Sequence, residues 1–191
     1  MQWHGLTQVL ALMLKFFAIG LLAITFAGPA LAGDNKELSK LYESDQAIRM
    51  HQPLDWNVVS KQDAEHRRHV FEMMKNHKVV TANDYLHAAM IMQHGSNFED
   101  YRLALSLATV ASTMDPTLER ARWLIAAAWD RALMNKNLPQ WYGTQYKSAP
   151  GKKTTLYKVD ESVVNDEDRR LLGVPSLQQA KDLVKQINGE R

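Results

Sequence analysis

Apolar residues recur every three or four positions through most of the chain, which is the spacing of one face of an α-helix. In the first segment this stripe carries Leu38, Leu41 and Ile48. No segment alternates apolar and polar residues for long enough to indicate a sheet, although the basic loop 148–158 has room for a short extended piece. The pattern predicts helices over about 37–50, 60–76, 81–93 and from 97 onward, then a central helix, and two short helices at about 165–172 and 176–188.

Helix boundaries are marked by capping residues at several points. Thr81 and Asp84 have the spacing of a capping box, and Gly95 follows the helix that this box opens. Asp115 is expected to cap the central helix, because Pro116 after it suits the first turn of a helix.

The central helix is apolar on all sides from Trp123 to Trp129, which predicts that several neighbours pack around it. Asp130 follows directly, and its helical neighbours are all apolar. A carboxylate in that position is either buried and paired or lines a pocket, because an isolated buried charge is too costly.

Small residues, mostly alanine, alternate with large ones between 84 and 134, as in Ala104-x-x-Leu107-Ala108-x-x-Ala111. Small residues let antiparallel helices approach closely, and this texture is similar to that of tetratricopeptide-type hairpins. The predicted fold is therefore all-α, a single domain over 33–191 formed by an irregular helical bundle with a tetratricopeptide-like middle.

The first 32 residues have the features of a secretory signal peptide. Lys15 precedes an apolar run, and the segment ends in Ala30-Leu31-Ala32, which predicts cleavage after Ala32. Met13 is an alternative start that would give a compact signal. The predicted location is periplasmic or secreted, with no stable membrane span after cleavage. An uncleaved N-terminal membrane anchor is the alternative, although the run 16–27 is shorter than the roughly 20 residues of a spanning helix.

Composition narrows the classes of function. The 191 residues include 23 Lys plus Arg and 21 Asp plus Glu, a balance that argues against nucleic acid as the partner. The absence of cysteine excludes disulfides, thiol nucleophiles and thiolate metal sites. No phosphate loop, dinucleotide fingerprint or Gly-x-Ser-x-Gly motif occurs.

Histidines are spaced in two pairs, His66 with His69 and His87 with His94. Neither pair has the His-x-x-x-His spacing with an adjacent Glu that marks metalloprotease helices. Ordinary surface or half-buried histidines are expected at all four positions, so neither a metal nor another cofactor is predicted.

Each of three aspartates in helical segments is followed within four residues by one or two arginines. They occur in the blocks Asp45-Gln46-x-x-Arg49, Asp130-Arg131 and Asp168-Arg169-Arg170. One interpretation is a structural network of ion pairs that ties three parts of the chain together. The other is a pocket in which one aspartate acts as a general base and an arginine holds an anion.

The turn after the central helix is rich in hydrogen-bonding groups. Pro139 and Gly143 shape its backbone, and four side chains in it carry amide or hydroxyl groups: Gln140, Tyr142, Thr144 and Gln145. It is interpreted either as a loop that contacts a ligand or as a cap for the last carbonyls of the central helix.

Together these blocks resemble those of an uncharacterised bacterial family of helical domains. The resemblance spans about 41–177 and rests on DQxxR at 45–49, DR at 130–131, PQWYGTQ at 139–145 and DxR at 168–170 followed by Gly173. It implies that these polar blocks lie together in space, and it implies no reaction.

Two functions remain open at the level of sequence. The first is an exported binding or interaction module, with a small molecule, peptide or protein as its ligand. The second is a small hydrolase or transferase with Asp45 or Asp130 as the general base. In that case a neighbouring arginine would hold an anionic substrate, and Tyr142 or Gln145 would orient it.

Overall fold

The structure is a computed structural model that describes residues 33–50, 54–149 and 151–190. The predicted signal peptide at 1–32 lies outside the described residues. Within the described ranges the chain is mostly helical, in agreement with the predicted all-α class. None of the helices in these ranges is both long and apolar enough to cross a membrane.

Five helices form the larger part of the domain, and two short ones close it. A single 3₁₀ turn, Ile48–Met50, follows the first helix. The helices of the described ranges are α1 (Lys36–Ala47), α2 (Trp56–Lys75), α3 (Ala82–Met92), α4 (Phe98–Met114), α5 (Glu119–Asn135), α6 (Asp166–Leu171) and α7 (Leu177–Ile187). Between α5 and α6, β1 (Tyr146–Lys147) and β2 (Thr155–Leu156) pair antiparallel, with Tyr146 opposite Leu156.

Side-chain caps begin most of these helices. The capping box of Thr81 and Asp84 is present at α3, as predicted. Helix α2 begins four residues earlier than predicted, because the Asp55 carboxylate accepts hydrogen bonds from the backbone N–H groups of Asn57 and Val58. In α1 the regular helix ends at Ala47, earlier than its apolar stripe predicts.

The predicted start of the central helix at Asp115 and Pro116 is wrong. Asp115 is the C-terminal cap of α4, and its carboxylate accepts hydrogen bonds from the backbone N–H and the hydroxyl of Thr117. Such an Asp-Pro-Thr segment favours a tight turn, because Asp bonds to the backbone two residues on and Pro fixes the next φ angle. Helix α5 therefore begins at Glu119, after Leu118, without a side-chain cap.

Close helix packing holds the core together. Helix α4 packs along both α3 and α5, and α1 and α2 cover α3 from its other side. Alanines of α3, α4 and α5 are fully buried at these contacts, among them Ala88, Ala108 and Ala127. Larger core side chains, such as Met90 and Leu124, fill the space between the helices.

Gly95 brings the α3–α4 turn against the first turn of α4. A Cβ atom at this position would lie 2.6 Å from Asp100 Cγ and closer still to Asp100 Cβ. Asp100 has little freedom to move, because its carboxylate accepts hydrogen bonds from the backbone N–H of Ser96 and the amide of Asn97.

We expect Gly95→Ala to lower the free energy of unfolding by about 1–3 kcal/mol, because the added methyl group overlaps Asp100. Gly33→Ala is the matched control, since a Cβ at Gly33 meets nothing within 4 Å. Urea denaturation of both variants checks this. Equal stability of the two would mean that the turn relaxes freely.

Candidate functional site

The predicted Asp/Arg blocks form two groups of contacts rather than one network of ion pairs. We call the first group the Asp45 cluster and define it as Asp45, Arg49, Asp63, His66 and His94. The second group, the Asp130 anchor, consists of Asp130 and the loop 139–145 that it holds.

Asp45 is the buried centre of the first cluster, with 0% of its surface exposed. Its Oδ2 lies 2.9 Å from His94 Nδ1 and accepts a hydrogen bond from Gln46 Nε2 at 2.7 Å. One turn later, Arg49 lies with Nη1 3.3 Å from Asp45 Oδ1 and donates to the Asp45 carbonyl at 2.6 Å. The predicted block of Asp45, Gln46 and Arg49 is therefore a contacting group.

Helix α2 adds two buried residues to this cluster. Asp63 accepts a 2.7 Å hydrogen bond from Arg49 Nη2, so Arg49 bridges the two carboxylates. His66, three residues further along α2, lies with Nδ1 3.6 Å from Asp45 Oδ1. That nitrogen is buried and has no hydrogen-bond partner among the described residues.

Two opposing effects act on the pKa of Asp45. Burial is the largest and raises it, because the charged form is poorly solvated. The hydrogen bond and the charge of His94, the charge of Arg49 and the Gln46 amide together outweigh burial, so the pKa lies below its ordinary value. Asp45 is therefore a carboxylate at neutral pH.

A cleft of about 600 Å³ opens beside the Asp45 cluster, between α2, the α3–α4 turn and α5. Three arginines reach it, one from the 3₁₀ turn after α1, one from α2 and one from α5. The cleft is lined by Arg49, Trp56, Ser60, Asp63, Ala64, Arg67, His94, Gly95, Ser96 and Arg131.

The three arginines of the cleft differ in how their charge is balanced. Arg49 bridges two carboxylates, as described above. Arg67 donates to the His94 carbonyl at 3.1 Å, and its Nε lies 3.5 Å from Asp100 Oδ2. Arg131 donates through Nη1 to the Gln93 carbonyl at 2.9 Å, and in the part of the chain that the structure describes it has no carboxylate partner.

Burial lowers the pKa of Arg131 below its ordinary value, because the guanidinium loses water. The nearby Tyr101 acts in the opposite direction, and the positive charge of Arg49 lowers the pKa further. The Nε of Arg131 is buried and lacks a hydrogen-bond partner among the described residues. The carboxylate of Asp130, its neighbour in the sequence, points to the loop 139–145 instead.

Asp130, fully buried, holds the loop after α5 through four hydrogen bonds. Oδ1 accepts from the backbone N–H groups of Trp141 at 2.8 Å and Tyr142 at 3.0 Å. Oδ2 accepts from the backbone N–H of Thr144 at 3.0 Å and from its hydroxyl at 2.8 Å. Both oxygens are thus committed to the loop, which favours the structural interpretation of Asp130 over that of a general base.

The glutamines of the loop are also used internally. Gln140 is fully buried, and its side-chain Nε2 donates to the carbonyls of Gln145 and Tyr157, both at 2.9 Å. Its side-chain Oε1 accepts from the backbone N–H of Gln145 at 2.8 Å. Gln145 donates to the Thr144 hydroxyl at 2.9 Å. The pKa of Tyr142 is raised, first by burial and then by the charges of Asp130 and Asp168.

The residues of the block Asp168-Arg169-Arg170 have three different sets of partners. Asp168 is the N-terminal capping-box residue of α6, where its carboxylate accepts from the backbone N–H of Asn165. Arg169 is buried and donates to the carbonyls of Tyr142 and Trp141, both at 3.0 Å. Arg170 is exposed and pairs with a glutamate of its own helix. Only Arg169 thus joins the Asp130 anchor, because side chains one residue apart on a helix point in different directions.

Several residues of the cleft and of the Asp45 cluster are not among the site residues that the sequence predicts. Asp63 and Arg67 belong to no predicted block, and His66 and His94 are expected from the sequence to be ordinary surface or half-buried histidines. The three-residue spacing of Asp63 and His66 places them on one face of α2, which is the signal that a search for buried polar pairs would use. Their meeting with Asp45 depends on helix packing.

Comparison of the chain with protein-family models, curated proteins and solved structures finds no match. The site is therefore interpreted from its own geometry.

We expect Asp130→Asn to lower the free energy of unfolding by about 2–5 kcal/mol, because the amide cannot accept all four hydrogen bonds and leaves buried donors unsatisfied. Asp168→Asn is the control, since it weakens only an exposed cap and is expected to cost about 1 kcal/mol or less. Chemical denaturation of the two variants measures the difference. A comparable loss in both would show that the Asp130 anchor is not a major source of stability.

Proposed function

We propose that this protein is an exported helical binding module whose cleft takes the anionic group of a small molecule or peptide. The observation that carries the proposal is Arg131, a cleft-lining arginine that contacts a backbone carbonyl and lacks an acidic partner among the described residues. A desolvated positive charge without a counter-ion is unfavourable. A carboxylate or phosphate in the cleft would supply that counter-ion.

The charges around the cleft support an anion rather than a cation. Arg49 and Arg67 are close to acidic side chains, whereas Arg131 adds a third positive charge near Arg49. Guanidinium groups suit carboxylates and phosphates because their planar fork donates two parallel hydrogen bonds. The unpartnered Nε of Arg131 is one such donor.

The size and the walls of the cleft fit a small ligand. A volume of about 600 Å³ lies within the roughly 300–1,000 Å³ typical of small-molecule sites. Trp56 lines the cleft and is 65% exposed, so its ring is available as a flat contact surface. The hydroxyls of Ser60 and Ser96 add hydrogen-bonding groups to the wall.

The ligand binds in the cleft rather than at the loop 139–145. The loop uses its amide and hydroxyl groups to hold itself and Asp130 in place. Export through the signal at 1–32, the tetratricopeptide-like character of the middle helices and membership of the uncharacterised helical family are parts of this proposal that remain predictions from sequence.

We expect inorganic phosphate to raise the melting temperature of the wild-type protein in a saturable way, and Arg131→Met to abolish this effect. Binding to the folded state alone stabilises by about 2.7 kcal/mol at 100 times Kd. The free energy of unfolding of Arg131→Met should lie within about 1 kcal/mol of the wild-type value, because the lost hydrogen bond is offset by removal of an uncompensated charge. Thermal melts against phosphate concentration measure both quantities.

Arg170→Met is the matched control for this test, because Arg170 is exposed, pairs with Glu167 of its own helix and is not among the residues that line the cleft. It reports the general stabilisation of proteins by phosphate salts, which is not saturable. If Arg131→Met fails to fold, Arg131→Lys takes its place and should weaken phosphate binding at least tenfold. Equal responses of wild type, the Arg131 variant and Arg170→Met would overturn the proposal.

A small hydrolase or transferase is the second candidate, and the contact between Asp45 and His94 favours it. A buried carboxylate that accepts a hydrogen bond from Nδ1–H fixes the tautomer of a histidine and leaves its Nε2 free to accept a proton. His94 lines the cleft beside the arginines. In this candidate Asp45 positions His94, which takes the role of general base in place of Asp45 or Asp130.

If the second candidate is correct, the protein hydrolyses an activated phosphoester such as p-nitrophenyl phosphate, and His94→Gln lowers the rate by about 10²–10⁴-fold. Asp45→Asn should also lower it. His69→Gln is the control, because His69 lies in α2 outside the residues that line the cleft. Initial rates of the folded variants decide, and a wild-type rate equal to that of His94→Gln would rule this candidate out.

A further inference from the structure

The imidazole of His66 has a buried nitrogen, Nδ1, beside the Asp45 carboxylate. The residue is 8% exposed, and no hydrogen-bond partner for its Nδ1 exists among the described residues. That nitrogen lies 3.6 Å from Asp45 Oδ1, which is too far for a hydrogen bond. A buried polar atom left unsatisfied is destabilising. A group bound between the side chains of His66 and Asp45 would supply this missing partner.

The Asp45 cluster also brings together other atoms that can ligate a metal. Ligand atoms of Asp45, Asp63 and His94 all lie within 4.8 Å of one another. Two atoms that each bind a metal at about 2.0–2.2 Å stand roughly 2.8–3.6 Å apart in octahedral or tetrahedral geometry. The separations of 2.9 Å for His94 Nδ1 and 3.6 Å for His66 Nδ1 from Asp45 oxygens agree with such edges.

We propose that the Asp45 cluster binds a divalent transition metal, Zn²⁺ by preference, through Asp45, His66 Nδ1 and His94 Nδ1, with Asp63 at its edge. Two imidazoles and a carboxylate are ligands that zinc accepts, whereas Mg²⁺ prefers oxygen ligands alone. The three ligands come from α1, α2 and the segment after α3, so metal binding also joins these elements.

Arg49 sets the charge balance of this site. Asp45 and Asp63 carry two negative charges and Arg49 supplies one positive charge, which leaves one negative charge on the cluster. A divalent cation would bring the cluster to one positive charge, and an anionic group in the neighbouring cleft would then neutralise it. Arg49 holds Asp63 at the edge of the site while Asp45 Oδ2 faces His94.

The metal site and the catalytic pairing of Asp45 with His94 exclude each other. When Nδ1 of His94 ligates the metal it is deprotonated, and its proton passes to solvent. The hydrogen bond from His94 to Asp45 is then replaced by two bonds to the metal. Zinc binding would therefore exclude His94 as the general base of the second candidate function.

Isothermal titration of the metal-free full-length protein with ZnCl₂ and, separately, MgCl₂ tests the proposal. We expect one Zn²⁺ per chain, a rise in melting temperature with zinc, and no response to Mg²⁺. His66→Ala should weaken zinc binding at least tenfold, because Nδ1 is lost as a ligand. The melting temperature of its metal-free form is measured separately, since loss of a buried ring also weakens packing.

His69→Ala is the matched control, because His69 lies on the same helix and outside the Asp45 cluster. It should bind zinc as the wild type does. If His66→Ala fails to fold, His94→Gln replaces it, with circular dichroism to establish its folded state. No stoichiometric zinc binding, or binding that His69→Ala removes and His66→Ala leaves intact, would overturn the proposal. Arg131→Met should retain the zinc site, so loss of anion binding and loss of zinc binding are separable results.

Discussion

A fully buried carboxylate, that of Asp45, is the constraint on which the arrangement of the cleft depends. A charge in the interior must be surrounded by donors, because its desolvation is otherwise too costly. Those donors come from α1 itself and from His94 after α3, while Arg49 connects the carboxylate to Asp63 on α2. Three helices are thereby held at one place, and the cleft opens beside it.

The same principle acts a second time at the end of α5. The carboxylate of Asp130 is saturated by backbone and hydroxyl donors of one loop, and Arg169 clamps that loop from α6 by bonding two of its carbonyls. Here the buried charge organises backbone rather than side chains. Asp130 is therefore a structural aspartate, whereas Asp45 lies beside a cleft. Both have mostly apolar residues one helical turn away.

Arg131 lies between the Asp130 anchor, which it follows in sequence, and the cleft, which it lines. It follows Asp130 on α5, yet its guanidinium extends to the Gln93 carbonyl beside His94. The positive charge of Arg49 lowers the pKa of Arg131. Arg131 and His66 each have a buried nitrogen without a hydrogen-bond partner among the described residues. An anion near the first and a metal near the second would each supply a missing partner, and the charges of the two would compensate each other.

Most of the helices follow from local signals in the sequence, because apolar spacing, the Thr81 cap and the small residues of α3 to α5 need no knowledge of packing. The sequence also singled out Asp45, Asp130 and the loop 139–145, and left open whether they form a structural network or a ligand site. Their partners depend on the tertiary structure: His94 for Asp45, and the backbone of the loop for Asp130. Helical spacing specifies which residues share a face, whereas the meeting of faces far apart in sequence depends on how the helices pack.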